Sequence, residues 1–335
     1  MVTCTRWLSV GVLFAAALAF PVHSLASDPE HPAEAVLQQA KDALASGNYE
    51  RAAFLYASQV RSLVDAGVND DRLGSALLEL GRLRAAVGKC SEASALDVRG
   101  IRLLEAAPQP DPLILSEAWE VLAKAYNCLR RYSKAGPALL RAVEIERSAP
   151  SPRPGRLVEL LAGQGEVYQA EHRFAEAENA FSLAQSIVGA NPRRIASSEA
   201  ALVENNFGML LRLMGRNEES EAAFRQGLEL VAGAAPRDPA LQVALTYNLA
   251  SLQAQEKRFR EAAGGFAEAT LLLDHGTSLP PRAAGQLLRD YASCLRKLGR
   301  GGEARALDAR AAALFVKQPE GDRGQTVDVA EFTSK

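Results

Sequence analysis

The cysteines of this 335-residue chain are the side chains best suited to covalent chemistry. Cys4 lies in an apolar leader, and Cys90, Cys128 and Cys294 follow it. None belongs to a CxxC pair and none sits in a His/Cys cluster, so a metal site has no support. In an oxidising compartment Cys90 and Cys128 are candidates for a disulfide, with Cys294 left over. Of the four histidines, His23 falls in the leader, and His31, His172 and His275 are scattered near helix ends. The adjacent carboxylates Glu218 and Glu219 open a surface helix, where negative charge suits the helix dipole. No GxSxG, HExxH, P-loop or GxGxxG context is present. The expectation is a chain with no catalytic, cofactor-binding or metal-binding residues.

Composition sets the class. The chain is 48% hydrophobic and 23% charged, with a formal net charge of -2, which marks it as neither disordered nor nucleic-acid-binding. Aromatics are only 6%, while Ala and Leu are abundant, which favours closely packed helices over a β-sandwich. Residues 1–26 read as a secretory signal. Arg6 gives a positive start, Leu8 to Phe20 is uncharged and apolar, Pro21 breaks the run, and Ser24-Leu25-Ala26 supplies small residues for cleavage. The run is short of the roughly 20 residues that span a bilayer. Cleavage near Ala26 removes one arginine and no acid, so the mature chain carries a net charge of -3. No membrane span is expected in it. An uncleaved N-terminal anchor is the alternative.

The elements that would position any site repeat. In Trp119 to Ala142, the residues Trp119, Leu122, Ala123 and Tyr126 share one helix face, and Tyr132, Ala135, Leu139 and Ala142 share another. Together they describe a hairpin of helix A and helix B. Aligned on Ala135, the chain offers Ala52, Ala93, Ala177, Ser220, Ala262 and Ala304, at successive spacings of 41, 42, 42, 43, 42 and 42 residues. Twelve residues upstream stands a second small series: Ala40, Gly81, Ala123, Gly165, Gly208, Ala250 and Ala292. These are the places where helices A and B must approach closely. A third series, Gly100, Ala142, Ala184, Gly227, Ala269 and Ala311, admits the next hairpin; Gln59 breaks it in the first copy.

Bulky residues recur as well. Tyr56, Leu139, Phe181, Phe224 and Phe266 fall four residues after the aligned position, with Asp97 and Asp308 as exceptions. Asp308 belongs to the last copy, whose outer face meets water; nothing in the sequence accounts for Asp97. Gly47, Gly88, Gly215 and Gly299 mark A–B turns, for which a left-handed helix end is expected. Turns fall near 47, 88, 130, 172, 215, 257 and 299. Pro/Gly/Asp-rich connectors separate the hairpins. Asp111-Pro112 and Asp238-Pro239 place an N-cap before an N1 proline.

This pattern resembles tetratricopeptide repeats, in the longer variety seen in kinesin light chain-like arrays. The residues that carry the resemblance are Trp119-x2-Leu122-Ala123-x2-Tyr126 with Tyr132-x2-Ala135-x3-Leu139-x2-Ala142. Two further copies support it: Gly165-x2-Tyr168 with Phe174-x2-Ala177-x3-Phe181-x2-Ala184, and Asn248-Leu249-Ala250 with Phe259-x2-Ala262-x3-Phe266. The resemblance implies an all-α, right-handed superhelical solenoid of about seven helix hairpins over residues 27–317. Residues 318–335 read as a disordered tail, in which Val327 and Val329 could add as a strand to a partner. Turns of adjacent repeats stack on one edge, which brings Cys90 and Cys128 within possible bonding reach. Small buried apolar thiols are the alternative.

The resemblance also implies that a peptide or protein segment lies on a concave face lined by helix A. Groove-facing candidates are Arg82, Lys124, Asn127, Asn205, Asn206 and Arg212. Tyr247, Asn248, Arg289 and Arg296 complete the set, with Glu120, Glu166, Met209 and Ser251 beside them. Asn206 and Asn248 hold one equivalent position, where such arrays use asparagine to bond the backbone of a bound segment. Satisfying neighbouring helix ends is the other role open to them. The family's carboxylate clamp of Lys and Asn is not reproduced, and Arg212, Arg289 and Arg296 tilt the C-terminal half toward acidic segments. The chain therefore reads as an exported, non-enzymatic scaffold or adaptor with a protein or peptide partner and no nucleic acid. The alternatives are a membrane-anchored assembly or secretion factor and an α/α-toroid carbohydrate-active enzyme. The latter is disfavoured because the mature chain holds one tryptophan, Trp119, at a scaffold position.

Overall fold

The computed structural model describes residues 32–233, 238–277 and 279–316. The leader with Cys4 and His23, His31, and the tail with Val327 and Val329 lie outside the described residues. Among the described residues the chain is all-α, with fourteen helices and no strand. The helices alternate as A and B members of seven pairs. They are α1 (Pro32–Ala45), α2 (Tyr49–Asp65), α3 (Asp71–Ala86), α4 (Cys90–Glu105), α5 (Pro112–Cys128), α6 (Tyr132–Ser148) and α7 (Pro154–Ala170). They continue as α8 (Phe174–Ala190), α9 (Ser197–Leu213), α10 (Asn217–Ala232), α11 (Pro239–Gln255), α12 (Phe259–Asp274), α13 (Pro281–Lys297) and α14 (Gly301–Val316). The chain divides inside α8, between Ala180 and Phe181, into two compact units.

The small-residue series is where the helices meet. Ala52, Ala93, Ala135, Ala177, Ser220, Ala262 and Ala304 are all 0% exposed. The upstream series from Ala40 to Ala292 is buried at every position. Ser220 is the one polar member of the aligned set, and its hydroxyl donates to the Gly208 carbonyl at 2.7 Å. Serine is thus tolerated because its one donor is satisfied inside the crossing. Bulky helix-B residues fill the space above the small helix-A residues sixteen positions earlier. A Cβ added to Gly208 would lie 2.7 Å from the Phe224 ring, so glycine lets this ring seat as closely as it does. In the unit of residues 181–316, Ala250, Phe266, Ala292 and Ala304 belong to one apolar cluster. In the unit of residues 32–180, Ala40, Ala52 and Tyr56 do the same.

Each A–B turn closes alike. The residue five before the aligned position takes a positive φ in all seven: Gly47, Gly88, Arg130, His172, Gly215, Lys257 and Gly299, between 55° and 80°. The next residue's N–H then reaches back to the last turn of helix A. Lys89 N–H donates to the Arg84 carbonyl at 2.8 Å and Arg258 N–H to the Gln253 carbonyl at 2.8 Å. This is the Schellman closure of a helix end, which needs one left-handed residue. Helix starts are equally specific. The Asp111 carboxylate accepts from Leu113 N–H at 2.8 Å, and Asp238 from Leu241 N–H at 3.0 Å, each before a proline at N1.

The second hairpin breaks the packing rule. Asp97 stands where other copies carry Leu139, Phe224 or Phe266, and it is 0% exposed. Its carboxyl fills the space that a Cβ on Gly81 would need. Neither oxygen has a hydrogen-bond partner among the described residues. Burial pushes Asp97 well above the usual carboxylate range; Arg82 opposes the shift and Glu79 adds to it. The folded chain therefore holds this carboxyl protonated where the unfolded chain would release the proton. In the first copy, Gln59 has its Oε1 buried without a partner.

Two outcomes are expected. Replacing the exposed, positive-φ Lys257 by glycine should raise unfolding free energy by about 0.5–1 kcal/mol, read as a higher urea midpoint at unchanged slope. Asp97 contributes fully below the unfolded carboxylate value of about 4, and its contribution is lost as pH rises through its elevated folded value. Stability measured across that window should fall with pH in the native chain, and Asp97→Asn should flatten the fall. An unchanged pH profile would contradict the assignment.

Candidate functional site

In the unit of residues 181–316, the helix-A face is built by α9, α11 and α13. The positions two and three residues before the small helix-A residue form a ladder along it: Asn205 and Asn206, Tyr247 and Asn248, Arg289 and Asp290. Asn248 Nδ2 donates to Asn205 Oδ1 at 2.8 Å, across 43 residues. One repeat later the same pair of positions reverses donor and acceptor: the Tyr247 hydroxyl donates to Asp290 Oδ2 at 2.7 Å, again across 43 residues. The second Asp290 oxygen accepts from Gln286 Nε2 at 2.9 Å. Asn205 passes its own Nδ2 to Asn206 Oδ1 at 3.1 Å. The Tyr247 ring rests 5.9 Å from the Phe266 ring, which ties the ladder to the apolar core.

The face is largely desolvated. Asn205, Arg212, Asn248 and Ser251 are each under a tenth exposed. Burial, then the Asp290 carboxylate, drive the Tyr247 phenol upward, so it stays a donor. Burial lowers Arg212 from the usual arginine value, and the Tyr247 phenol opposes it. Glu204 behaves differently from a surface acid. Burial raises it, while Gln185 Nε2 donates to both its oxygens at 3.0 Å. Thr246 is buried and its Oγ1 has no hydrogen-bond partner among the described residues.

The candidates therefore separate into two groups. Asn205, Asn248 and Tyr247 come together as buried or half-buried members of the inter-helix ladder, and Arg212 is buried within electrostatic reach of Tyr247, so none of the four is an open groove side chain. Asn206 and Met209 are half-buried and Arg289 is exposed on the same face. Arg296 is exposed and ion-paired to Asp308 at 2.6 Å, so part of the expected basic tilt is already neutralised. Asp290 and Gln286 were missed by sequence reasoning. The signal for Asp290 was present, since it continues the Asn206–Asn248 series by a further 42 residues.

In the unit of residues 32–180 the helix-A candidates are ion-paired. Arg82 pairs with Glu79 at 3.2 Å, and Lys124 with Glu120 at 2.9 Å. Glu120 also binds Arg156, which reaches on to Glu159 at 2.7 Å. Glu120 is buried, and burial pushes its carboxyl up. The Lys124 and Arg156 charges outweigh that, so it is held below the usual range. Asn127 and Glu166 are exposed. Cys90 and Cys128 form a disulfide between the first residue of α4 and the last of α5, with Cα atoms 6.1 Å apart. Cys294 is buried, and its thiol donates to the Phe259 carbonyl at 3.1 Å. Among the described residues there is no cluster of His, Cys, Asp and Glu able to hold a metal. No helix there is long and apolar enough to cross a membrane.

Paired helices with a small-residue crossing, a Schellman turn and a polar helix-A face define the tetratricopeptide-repeat fold. Solved structures of that class have the same architecture. A tetratricopeptide repeat protein from Parabacteroides merdae superposes with a TM-score of 0.57 at 16% identity, over 90% of this chain and 97% of that one. The nearly identical kinesin light chain TPR-like repeats of Podosopora anserina give 0.52 at 18%, over 61% of this chain and 98% of theirs. The Rap conjugation regulator of plasmid pLS20, in complex with the Phr* peptide, gives 0.50 at 17%, over 85% of this chain and 76% of that one. No protein-family model matches the sequence, and no curated protein matches it.

The ladder is open to a direct test. Asn248→Ala leaves Asn205 Oδ1 buried without its donor, and should cost about 1–3 kcal/mol. Tyr247→Phe removes the donor to Asp290 and should cost about 1–2 kcal/mol. Both are read from urea midpoints. Values near zero for both would mean that the ladder does not hold the face.

Proposed function

We propose that this chain is an exported, non-enzymatic scaffold that holds an extended peptide or protein segment on the helix-A face of α9, α11 and α13. The observation that carries this reading is the Asn205–Asn248 and Tyr247–Asp290 ladder. It lays a continuous, rigid hydrogen-bonding floor along one face, and it leaves Asn206, Met209 and Arg289 at its accessible edge. An amide offers both a donor and an acceptor, which suits the repeating backbone of an extended segment. Side chains bonded to one another along the ladder are held in place before binding, which lowers the ordering cost of association. The Rap regulator of the same fold, which carries a bound peptide, supports the reading. Of the three arginines, Arg212 is buried and Arg296 is paired with Asp308, while Arg289 is exposed on the helix-A face.

Export is supported by the leader and by the Cys90–Cys128 disulfide, a bond that persists in oxidising compartments. The buried amides of Asn205 and Asn248 are committed to an inter-helix bond, which fits a scaffold better than a catalyst.

Fluorescence anisotropy against extended peptide libraries of acidic, neutral and basic composition tests the site. Asn206→Ala and Arg289→Ala should each weaken binding by about tenfold, a loss of about 1.4 kcal/mol. Gln226→Ala, on α10, should have no effect. Binding that ignores both helix-A substitutions would overturn the assignment of the face. Mass spectrometry of the exported protein should find its first residue at Ser27; an intact Met1 would favour a membrane-anchored factor.

A further inference from the structure

We propose that the Cys90–Cys128 disulfide is a redox-operated strap: oxidised, it holds the second hairpin, α3 and α4, in the array, and its reduction releases that hairpin. Two independent features of the same hairpin carry this. The first is its core. Asp97 is 0% exposed and Arg84 is 1% exposed. Most copies carry apolar or aromatic residues there: Leu139, Phe224 and Phe266 match Asp97, with the half-exposed Asp308 of the last copy as the exception, while Tyr126, Tyr168 and Leu295 match Arg84, with Gln253 as the exception. Neither oxygen of Asp97 has a hydrogen-bond partner among the described residues, and neither do Nε and Nη2 of Arg84. The acid that Arg84 reaches, Glu92, stands 3.5 Å away. Unpartnered polar atoms are buried in other hairpins too, but here they belong to an acid and an arginine with at most 1% exposure, the costliest groups to bury, which makes this hairpin the one that should open first.

The second feature is where the bond lies and how it can be attacked. It closes a loop of sequence separation 38, tying the start of α4 to the end of α5. Such a closure stabilises by an amount similar in size to the cost of the unpaired buried groups. Cys128 is exposed, whereas Cys90 is 4% exposed. A dithiol reductant therefore approaches the bond from the side of Cys128. Its thiolate bonds to Cys128 Sγ, the Cys90–Cys128 bond breaks, and Cys90 leaves as a thiolate. Cys90 is the first residue of α4, where the helix N-terminus favours negative charge and so a good leaving group. The second thiol of the reductant then displaces the Cys128 thiolate. Both cysteines take up a proton, and the dithiol leaves as its own disulfide, two electrons poorer. Cys294, buried with its thiol donated to Phe259, takes no part.

Hydrogen exchange on the full chain, with and without dithiothreitol, tests the strap. Reduction should speed exchange across residues 71–105 by at least about tenfold and leave α9 to α14 unchanged. Cys90→Ala with Cys128→Ala should give the same map without reductant. Asp97→Leu with Arg84→Tyr, placed first in the disulfide-bonded chain, should slow exchange over 71–105. Added to the cysteine-free chain, that pair should restore native protection. Unchanged exchange on reduction, or equal acceleration throughout the chain, would overturn the proposal. So would an apolar pair that speeds exchange in the oxidised chain, or that fails to restore protection in the cysteine-free one.

Discussion

The whole array depends on how closely helix A can approach helix B. Seven crossings have a helix-B residue with no exposed surface, and six of the seven are alanine. Two α-helices pack at about 8–10 Å between axes, and the lower end of that range is reached only with small side chains at the contact. Once the crossing is close, the large residue four positions on, Phe224 or Phe266, falls onto the small helix-A residue and buries fully. Burying such a ring is worth roughly 1.5–3 kcal/mol, far more than any exposed ion pair here. The turn obeys the same constraint. A short loop between closely packed helices needs one left-handed residue, so Arg130, His172 and Lys257 adopt a conformation normally left to glycine.

With the apolar crossings holding the hairpins, polar groups take up a second role between repeats. On α9, α11 and α13 they meet as amide, phenol and carboxylate partners at a constant offset. In the unit of residues 32–180 they meet as ions. Glu146, fully buried at the end of α6, accepts from Arg153 at three atoms, and Arg153 reaches Glu117 as well. Burial pushes Glu146 up, the Arg153 hydrogen bonds outweigh it, and the carboxyl is held below the usual range. A connector is thereby fixed to the helix before it. The exposed pairs that open helix B, such as Arg216 with Glu219 and Arg300 with Glu303, repeat in register but each is worth little.

The second hairpin is the exception. Its interior holds a carboxyl without a hydrogen-bond partner and a guanidinium whose acid, Glu92, is 3.5 Å away, and its edge holds the disulfide. A packing defect and a covalent bond in one segment make that segment separately adjustable. Elsewhere the stability of the array approaches a sum of like units and like junctions.

Helix number, pairing, crossings and turns were legible in the sequence, because each rests on a local requirement repeated at a fixed spacing. A crossing needs a small residue, a cap needs an acid before proline, and a left-handed turn favours glycine. Three turns without glycine were legible only through their spacing. The helix-A candidates were legible as positions, since helical periodicity assigns a face. Their state was not. Whether Asn248 displays its amide or spends it on Asn205 depends on the rotation of α11 against α9, and no local rule contains that angle. The same holds for Asp97. Its place in a bulky series was visible in the chain, but its burial beside Gly81 without a partner was set by the packing of α3 on α4. Sequence alone determined what repeats, because repetition is written in residue types. Tertiary structure decided which polar groups are spent and which are offered, because that depends on distances between residues some forty positions apart.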